Sequence, residues 1–179
     1  KLEIGAWAVD VVGNYAYLSS ESLIKYSGKG SAGALLSGSL LVVDITTPSC
    51  PAVVGHACIP GKSSIIQVVG NHAYLASHVT PSVTIVDVSV PTSPKPTGFL
   101  HFAGNPTGLH VVDSPTEGKR AYVTGAHGIH IIDVNDPDNP TQIGFYDSAD
   151  TSEYPRDVFV RDGIAYVPDS YGPLLIFDV

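Results

Sequence analysis

The chain has 179 residues, which suits a single domain. Hydrophobic residues make up 44% and charged residues 15%, so the composition is not that of a disordered chain. The 9 Lys and Arg against 17 Asp and Glu give a net charge of −8, which argues against a surface for nucleic acid or anionic lipid, since both attract cationic patches. No apolar run reaches the ~20 residues that span a bilayer. Met is absent, so we expect a processed chain or an excerpt of a longer one.

The first patterned segment is Val-Val-Gly-Asn-Tyr-Ala-Tyr-Leu at residues 11–18, and it recurs as Val-Val-Gly-Asn-His-Ala-Tyr-Leu at 68–75. Weaker copies lie at residues 119–123 and 162–167. Alternating apolar residues on both sides of a Gly-Asn pair indicate two antiparallel strands joined by a tight turn of type I′. Each copy therefore predicts strands one and two of a repeated unit.

A second landmark, an apolar run that ends in Asp followed by Ile or Val, recurs about every 45 residues. Its copies are residues 41–45, 84–88, 130–134 and 175–179. A third landmark, Pro-x-x-Pro-x-x-x-Gly, follows the first three of these aspartates at one fixed distance and ends at Gly55, Gly98 and Gly144. These landmarks predict strands three and four, with a turn between them rich in Pro, Asp and Asn.

The three landmarks together predict an all-β protein. Tandem antiparallel units of four strands are typical of a β-propeller, because one such sheet buries its faces only when neighbours stack on it. We expect a single propeller domain over residues 1–179 with four blades. The blades span about residues 6–56, 62–99, 106–145, and 155–179 plus 1–5.

The landmarks Gly-Asn-x-Ala-Tyr, Val-Val-Asp-Ile/Val and Pro-x-x-Pro-x-x-x-Gly resemble those of the LVIVD-repeat family of β-propellers, over nearly the whole chain. The resemblance implies a prokaryotic location outside the cell or at its surface, and it supplies no catalytic motif. The first copy departs from the pattern by an insertion at residues 19–39. Only four copies are present, whereas relatives of this type usually close their rings with more blades.

The last copy reaches Val179 directly after strand three, so the closure of the ring stays open at this point. Residues 1–5 resemble the end of a strand four and would complete the last blade, although the crossover to the next strand one would then be only about half as long as in the other blades. Alternatively, these residues extend strand one and leave an open edge. Another chain, or sequence not shown here, would then complete the last blade.

Residues at the head of each strand one, and others deeper along the strand, should face the central channel. This set comprises Trp7, Asp10, Gln67, His110 and Arg156. It would bind a small polar or anionic ligand through Arg156 and His110, or it would line a water-filled channel. An enzyme with its site at this channel mouth is the alternative function, with His110 or His127 as acid, base or metal ligand.

Seven histidines raise the question of a metal site, although we expect no cofactor. Loops of neighbouring blades carry His78, His127 and Asp169, which would converge on a divalent cation such as calcium. The sequence has neither His-Glu-x-x-His nor Cys-x-x-Cys. The Asp- and Asn-rich run at residues 133–139 reads as a turn rather than a calcium loop.

The function favoured by these observations is a non-catalytic, extracellular or cell-surface propeller for binding, adhesion or assembly. Its partner would be another copy or another surface protein, held through the open blade edge or the 19–39 insertion. The expected contact residues are Leu2, Ile4, Leu35, Leu36 and Ile176. Cys50 and Cys58 cannot readily pair, because the strand between them would hold them too far apart. They would be free thiols, or one would bridge to another chain.

Overall fold

The computed structural model describes residues 5–20, 37–126, 128–147 and 154–179. All regular elements in these ranges are β-strands, and no helix able to cross a membrane is found there. Sheet one comprises β1 (Ala8–Val12), β2 (Tyr15–Ser20), β3 (Ser37–Asp44) and β4 (Ala52–Pro60). Sheet two comprises β5 (Ser63–Val69), β6 (His72–Ser77), β7 (Ser82–Asp87) and β8 (Lys95–His101).

Sheet three comprises β9 (Pro106–Ser114), β10 (Gly118–Gly125), β11 (Gly128–Asp133) and β12 (Thr141–Asp147). Sheet four has three strands in the described residues, β13 (Phe159–Arg161), β14 (Ile164–Pro168) and β15 (Leu174–Asp178). Within each sheet the strands follow chain order and pair antiparallel, so every sheet is a meander. The prediction of four repeated antiparallel units is confirmed.

The turn between strands one and two differs in type between the copies. Gly13 and Gly70 have φ angles of 59° and 60°, while the Asn that follows each of them keeps a negative φ. A positive φ at the first central residue alone is typical of a type II′ turn, so the type I′ prediction is wrong for these two copies. In the fourth copy Asp162 and Gly163 have φ angles of 52° and 75°, which fits type I′.

The repeated aspartate at the end of strand three is a turn residue. In each of three blades one carboxylate oxygen accepts a hydrogen bond from the backbone N–H two residues later. The pairs are Asp44 with Thr46 at 2.8 Å, Asp87 with Ser89 at 2.8 Å and Asp133 with Asn135 at 2.9 Å. Hydrogen bonds from the side chain and then the backbone of Thr46 lower the pKa of Asp44, and those from Ser89 lower the pKa of Asp87 in the same way. The turn interpretation of residues 133–139 agrees with this geometry.

Three apolar clusters fill the spaces between consecutive sheets. Tyr17 packs in the first cluster, between sheets one and two, and Tyr74 occupies the equivalent place between sheets two and three. Tyr122 does so between sheets three and four. Four sheets with three such junctions form an open arc, because the described residues contain no fourth cluster that joins sheet four to sheet one.

The strand-four glycine is in close contact with the turn between strands three and four of the next blade. A Cβ atom on Gly98 would collide with the carbonyl oxygen of Pro137 and lie 2.9 Å from Cδ of Pro140, both in the strand three–four turn of sheet three. Gly55 has the same relation to Pro91 in sheet two. The Pro-x-x-Pro-x-x-x-Gly landmark therefore makes two contacts between blades. Its prolines pack on the strand-four glycine of the preceding blade, and its own glycine packs against the prolines of the following blade.

The chain before β1 continues strand one. Trp7 N donates to the carbonyl oxygen of Ser19 at 2.9 Å, and Ser20 Oγ donates to that of Gly5 at 2.8 Å. Ser77 Oγ donates in the same way to the carbonyl oxygen of Lys62 at 2.8 Å, so Gly5 is the counterpart of Lys62. Gly5 thus precedes strand one of sheet one as Lys62 precedes β5, and the completion of the last blade by residues 1–5 stays a prediction. Residues 1–4 lie outside the described part of the chain.

We expect Gly98→Ala to lower the free energy of unfolding by about 1–3 kcal/mol, because the new methyl group displaces the turn that rests on residue 98. Gly144→Ala is the matched control, since a Cβ there meets only side-chain atoms of Ile131 in its own sheet, at 3.3 Å and beyond. Urea denaturation of the two variants measures the difference. Equal losses in both would contradict the role of the glycine as a seat for the next blade.

Candidate functional site

The innermost strand of every sheet contacts its counterpart in the next sheet. Strands β1, β5, β9 and β13 lie side by side in that order, each at one edge of its sheet. Asp10, Gln67, His110 and Phe159 occupy the same position on these four strands. Three of the predicted channel residues therefore come from three neighbouring blades at one level of the arc.

Each of these three polar side chains accepts a hydrogen bond from the backbone of the following blade. The pairs are Val68 N to Asp10 Oδ2 at 2.6 Å, Val111 N to Gln67 Oε1 at 2.7 Å and Val160 N to His110 Nδ1 at 2.9 Å. An edge strand has backbone N–H groups without a partner in its own sheet, and each acceptor satisfies one of them. The three side chains thus form a ladder, which we call the inner-strand ladder, that joins blade to blade.

The hydrogen bond at His110 fixes the ionisation state of the ring. A nitrogen that accepts a hydrogen bond carries no proton, so the ladder requires neutral His110 with its proton on Nε2. Burial of the ring lowers the pKa of His110, and the nearby Asp157 carboxylate opposes this shift. The ring also packs on Phe159, with 4.7 Å between the ring centroids. Neutral His110 therefore joins sheets three and four through both a hydrogen bond and an aromatic contact.

At both ends of the arc, the groups at the ladder positions differ from those at the three internal junctions. Phe159 stands at the ladder position of sheet four, and its ring offers no acceptor to a following blade. At the other end, Val11 N is the counterpart of the three donors, and it donates to Oδ1 of the adjacent Asp10 at 2.8 Å. Asp10 thereby satisfies one N–H in its own strand and one in the next blade.

The other two predicted ligand residues lie elsewhere along the chain. Trp7 is exposed on sheet one. Arg156 is exposed before β13, where its backbone N donates to the carbonyl oxygen of Pro168 at 2.9 Å and its Nε donates to Ser170 Oγ. Among the described residues, no hydrogen bond joins Trp7 or Arg156 to the inner-strand ladder. Binding of a ligand by these five residues stays a prediction.

The predicted metal site cannot be assembled from the described residues, because His127 lies outside them. His78 Nδ1 is 3.2 Å from Ser64 Oγ, and Asp169 Oδ1 accepts a hydrogen bond from Tyr171 N at 2.7 Å. Asp169 Oδ2 is buried without a hydrogen-bond partner in the described chain. No group of three or more His, Cys, Asp or Glu residues suited to a metal ion occurs in those ranges. A metal site formed with His127 stays a prediction.

Of the five predicted assembly residues, only Ile176 lies in the described part of the chain. It is exposed on β15, on the face of sheet four that points away from sheet three. Leu2, Ile4, Leu35 and Leu36 lie outside the described residues, as does most of the 19–39 insertion. Cys50 and Cys58 are both free and exposed.

Sequence reasoning missed a buried polar contact in the junction between sheets two and three. The ring of His130 lies between those of Phe102 and Phe145, with 4.6 Å between centroids on each side. Its Nδ1 is 3.0 Å from Oε1 of Gln142, while its Nε2 is buried without a partner among the described residues. The alternation of residues 128–133 places His130 on a fixed face of its strand, but it does not indicate which aromatic residues lie there.

Four antiparallel sheets that stack through their inner strands define a β-propeller architecture. Two solved structures share this arrangement. A computationally designed protein, Ika4, superposes with a TM-score of 0.72 at 12% identity, covering 100% of this chain and 94% of the designed one. The hydrazine synthase of Kuenenia stuttgartiensis superposes with a TM-score of 0.66 at 18% identity, covering 97% of this chain and 46% of that one. At these identities the likeness establishes the fold alone.

The sequence profile of the LVIVD repeat matches residues 5–23, 34–57, 60–101 and 116–148, which is about two thirds of the chain. The chain belongs to the LVIVD repeat family. The comparison with curated proteins finds no match. The resemblance seen in the three landmarks is confirmed.

The neutral state of His110 predicts a loss of stability in mild acid. Because the native pKa lies below the ordinary value of about 6.5, the unfolded chain binds more protons there than the folded chain does. The contribution of His110 is therefore complete above about pH 6.5 and is lost as the pH falls toward the native pKa. Thermal unfolding of the chain between pH 7.5 and pH 5 measures this effect.

The variant His110→Gln carries the residue that serves the same position in sheet two, where Gln67 accepts the bond without titrating. We expect it to remove part of the pH dependence, whereas the exposed control His101→Gln retains all of it. An unchanged pH dependence in His110→Gln would contradict the proposed state of the ring.

Proposed function

We propose that the chain is a non-catalytic β-propeller module that acts outside the cell or at its surface, in binding, adhesion or assembly. The observation that carries this proposal is the inner-strand ladder. Asp10, Gln67 and His110, the polar side chains best placed to hold a substrate, are each engaged with the backbone of the next blade. If these side chains took part in catalysis, they would lose the hydrogen bonds that join one blade to the next.

Exposed apolar surface at the two ends of the arc supports the same proposal. Val9 and Val11 on sheet one, and Leu174 and Ile176 on sheet four, are all exposed. Soluble proteins rarely expose contiguous apolar patches unless a partner covers them. The low proportion of charged residues and the family resemblance support the extracellular location. The proposed partner is another protein at the same surface or a further copy of the chain.

The insertion in sheet one offers a direct test. Ser20 and Ser39 are register partners, as are Ser77 and Ser82 in sheet two, where the four residues 78–81 make the connection. Replacing residues 21–38 by His-Val-Thr-Pro, the sequence of that shorter connection, should reduce adhesion to cells or self-assembly at least tenfold. The far-UV circular dichroism should keep its β-sheet signature, because β3 loses only Ser37 and Gly38 and keeps its pairing with β2 and with the rest of β4.

A point substitution in the Asp- and Asn-rich turn, Asp138→Ser, serves as a control for changes at the opposite end of the strands. Adhesion and assembly that survive the replacement at full strength would contradict a role for the insertion. Labelling of intact cells with an antibody against the chain tests the location, and labelling only after lysis would contradict it.

A further inference from the structure

Each sheet has a leading face toward the preceding sheet and a trailing face toward the following one. The three junctions of the arc all pack a trailing face on a leading face. The tyrosine of strand two lies on each trailing face, and it shares a cluster with two apolar residues in or just before strand one of the next sheet. The groups are Tyr17 with Ile66 and Val68, Tyr74 with Leu109 and Val111, and Tyr122 with Val158 and Val160.

The fourth trailing face has the same strand-two tyrosine, but within the described ranges no sheet packs on it. Tyr166 is the counterpart of the three buried tyrosines, and it is 37% exposed where Tyr17, Tyr74 and Tyr122 are at most 4% exposed. Ile176 is 59% exposed, whereas its counterparts Val42 and Ile85 are fully buried. The trailing face formed by the three described strands of sheet four is therefore open to solvent.

The matching leading surface is strand β1 of sheet one. Val9 and Val11 are the counterparts of Ile66 and Val68, and Val11 is 54% exposed where Val68 is 8% exposed. On the same leading face, Leu41 and Val43 of strand β3 are buried and are not open to a second chain. The open part of this leading face is thus the inner strand, which takes part in most of the strand contacts between consecutive sheets in the arc.

The two ends also match in their hydrogen bonding. At the internal junctions a side-chain acceptor on the trailing side meets a backbone N–H on the leading side. At the ends, Phe159 has no acceptor to give, and Val11 N already has one in Asp10 Oδ1. A trailing face with Phe159 therefore fits a leading strand in which the Val11 N–H already has its acceptor.

We propose that two copies of the chain associate head to tail, with the trailing face of sheet four in each copy packed on strand β1 of the other. This inference rests on the proposed function and names its partner, a second copy. Head-to-tail contacts close into a ring only when the rotation per copy permits it. Two arcs of four blades make a ring of about eight, which lies within the usual range of propellers, whereas three arcs would exceed it.

Sedimentation velocity on the purified chain at physiological salt tests the proposal. The expected species has twice the mass of the chain. Val11→Asp and Tyr166→Asp each place a carboxylate in the proposed contact, and each should weaken the dimer at least tenfold. Ile143→Asp is the matched control, because Ile143 is similarly exposed on β12 but lies on neither end face, and it should leave the dimer unchanged.

A mixture of the two variants separates head-to-tail contact from other geometries. Val11→Asp keeps an intact trailing face and Tyr166→Asp keeps an intact leading strand, so a mixture restores one junction and should form more dimer than either variant alone. A monomeric parent chain, an open series of larger masses, or a Val11→Asp variant that dimerises fully would each overturn the proposal. Circular dichroism of each variant shows that loss of the dimer is not loss of the fold.

The proposed function can fail separately. A parent chain that stays monomeric but still adheres to cells overturns the second copy as the partner and leaves the adhesion proposal standing. A dimer without adhesion, and with the same mass after replacement of residues 21–38, retains the head-to-tail contact and overturns the role assigned to the insertion.

Discussion

The structure depends on the way in which one blade holds the next. A four-stranded meander has two faces and an inner edge strand whose outward N–H groups find no partner in their own sheet, so a single blade is not a stable unit. The inner-strand ladder satisfies one such group per junction, and the strand-two tyrosine fills the apolar space beside it. Because the same two contacts recur three times, the position of each blade follows from that of its neighbour.

The ladder position tolerates different chemistry, since Asp, Gln and His all serve it. The three share one property, an acceptor at a suitable distance from the strand. Their different charges suggest a binding site when they are read as separate residues, but they have one common role in the structure. This role explains how a heterogeneous polar set can arise without a ligand. The position of Gly98, by contrast, requires one residue type, because the turn that packs on it leaves no room for a side chain.

Periodicity in the sequence was sufficient to predict the sheets, their order and the family, because strand alternation and turn residues are local signals. The same periodicity puts Asp10, Gln67 and His110 at equivalent positions, but a hydrogen bond to the backbone of another blade leaves no mark in the sequence, so this role was not predicted; binding of a ligand by these residues stays a prediction. The turn type at Gly13 was wrong, because Gly-Asn is compatible with both primed turns and the choice depends on φ at Asn14. Gly5 could not be placed by pattern alone, since the sequence around it resembles the end of a strand four.

The claim that side chains of one blade bind the backbone of the next is tested most directly by amide hydrogen exchange. Gln67→Leu removes the acceptor for Val111 N and leaves the bond from Val160 N to His110 in place. The account predicts faster exchange at the Val111 amide in this variant, with the Val160 amide still protected. An unchanged exchange rate at Val111, or an equal increase at both amides, would contradict it.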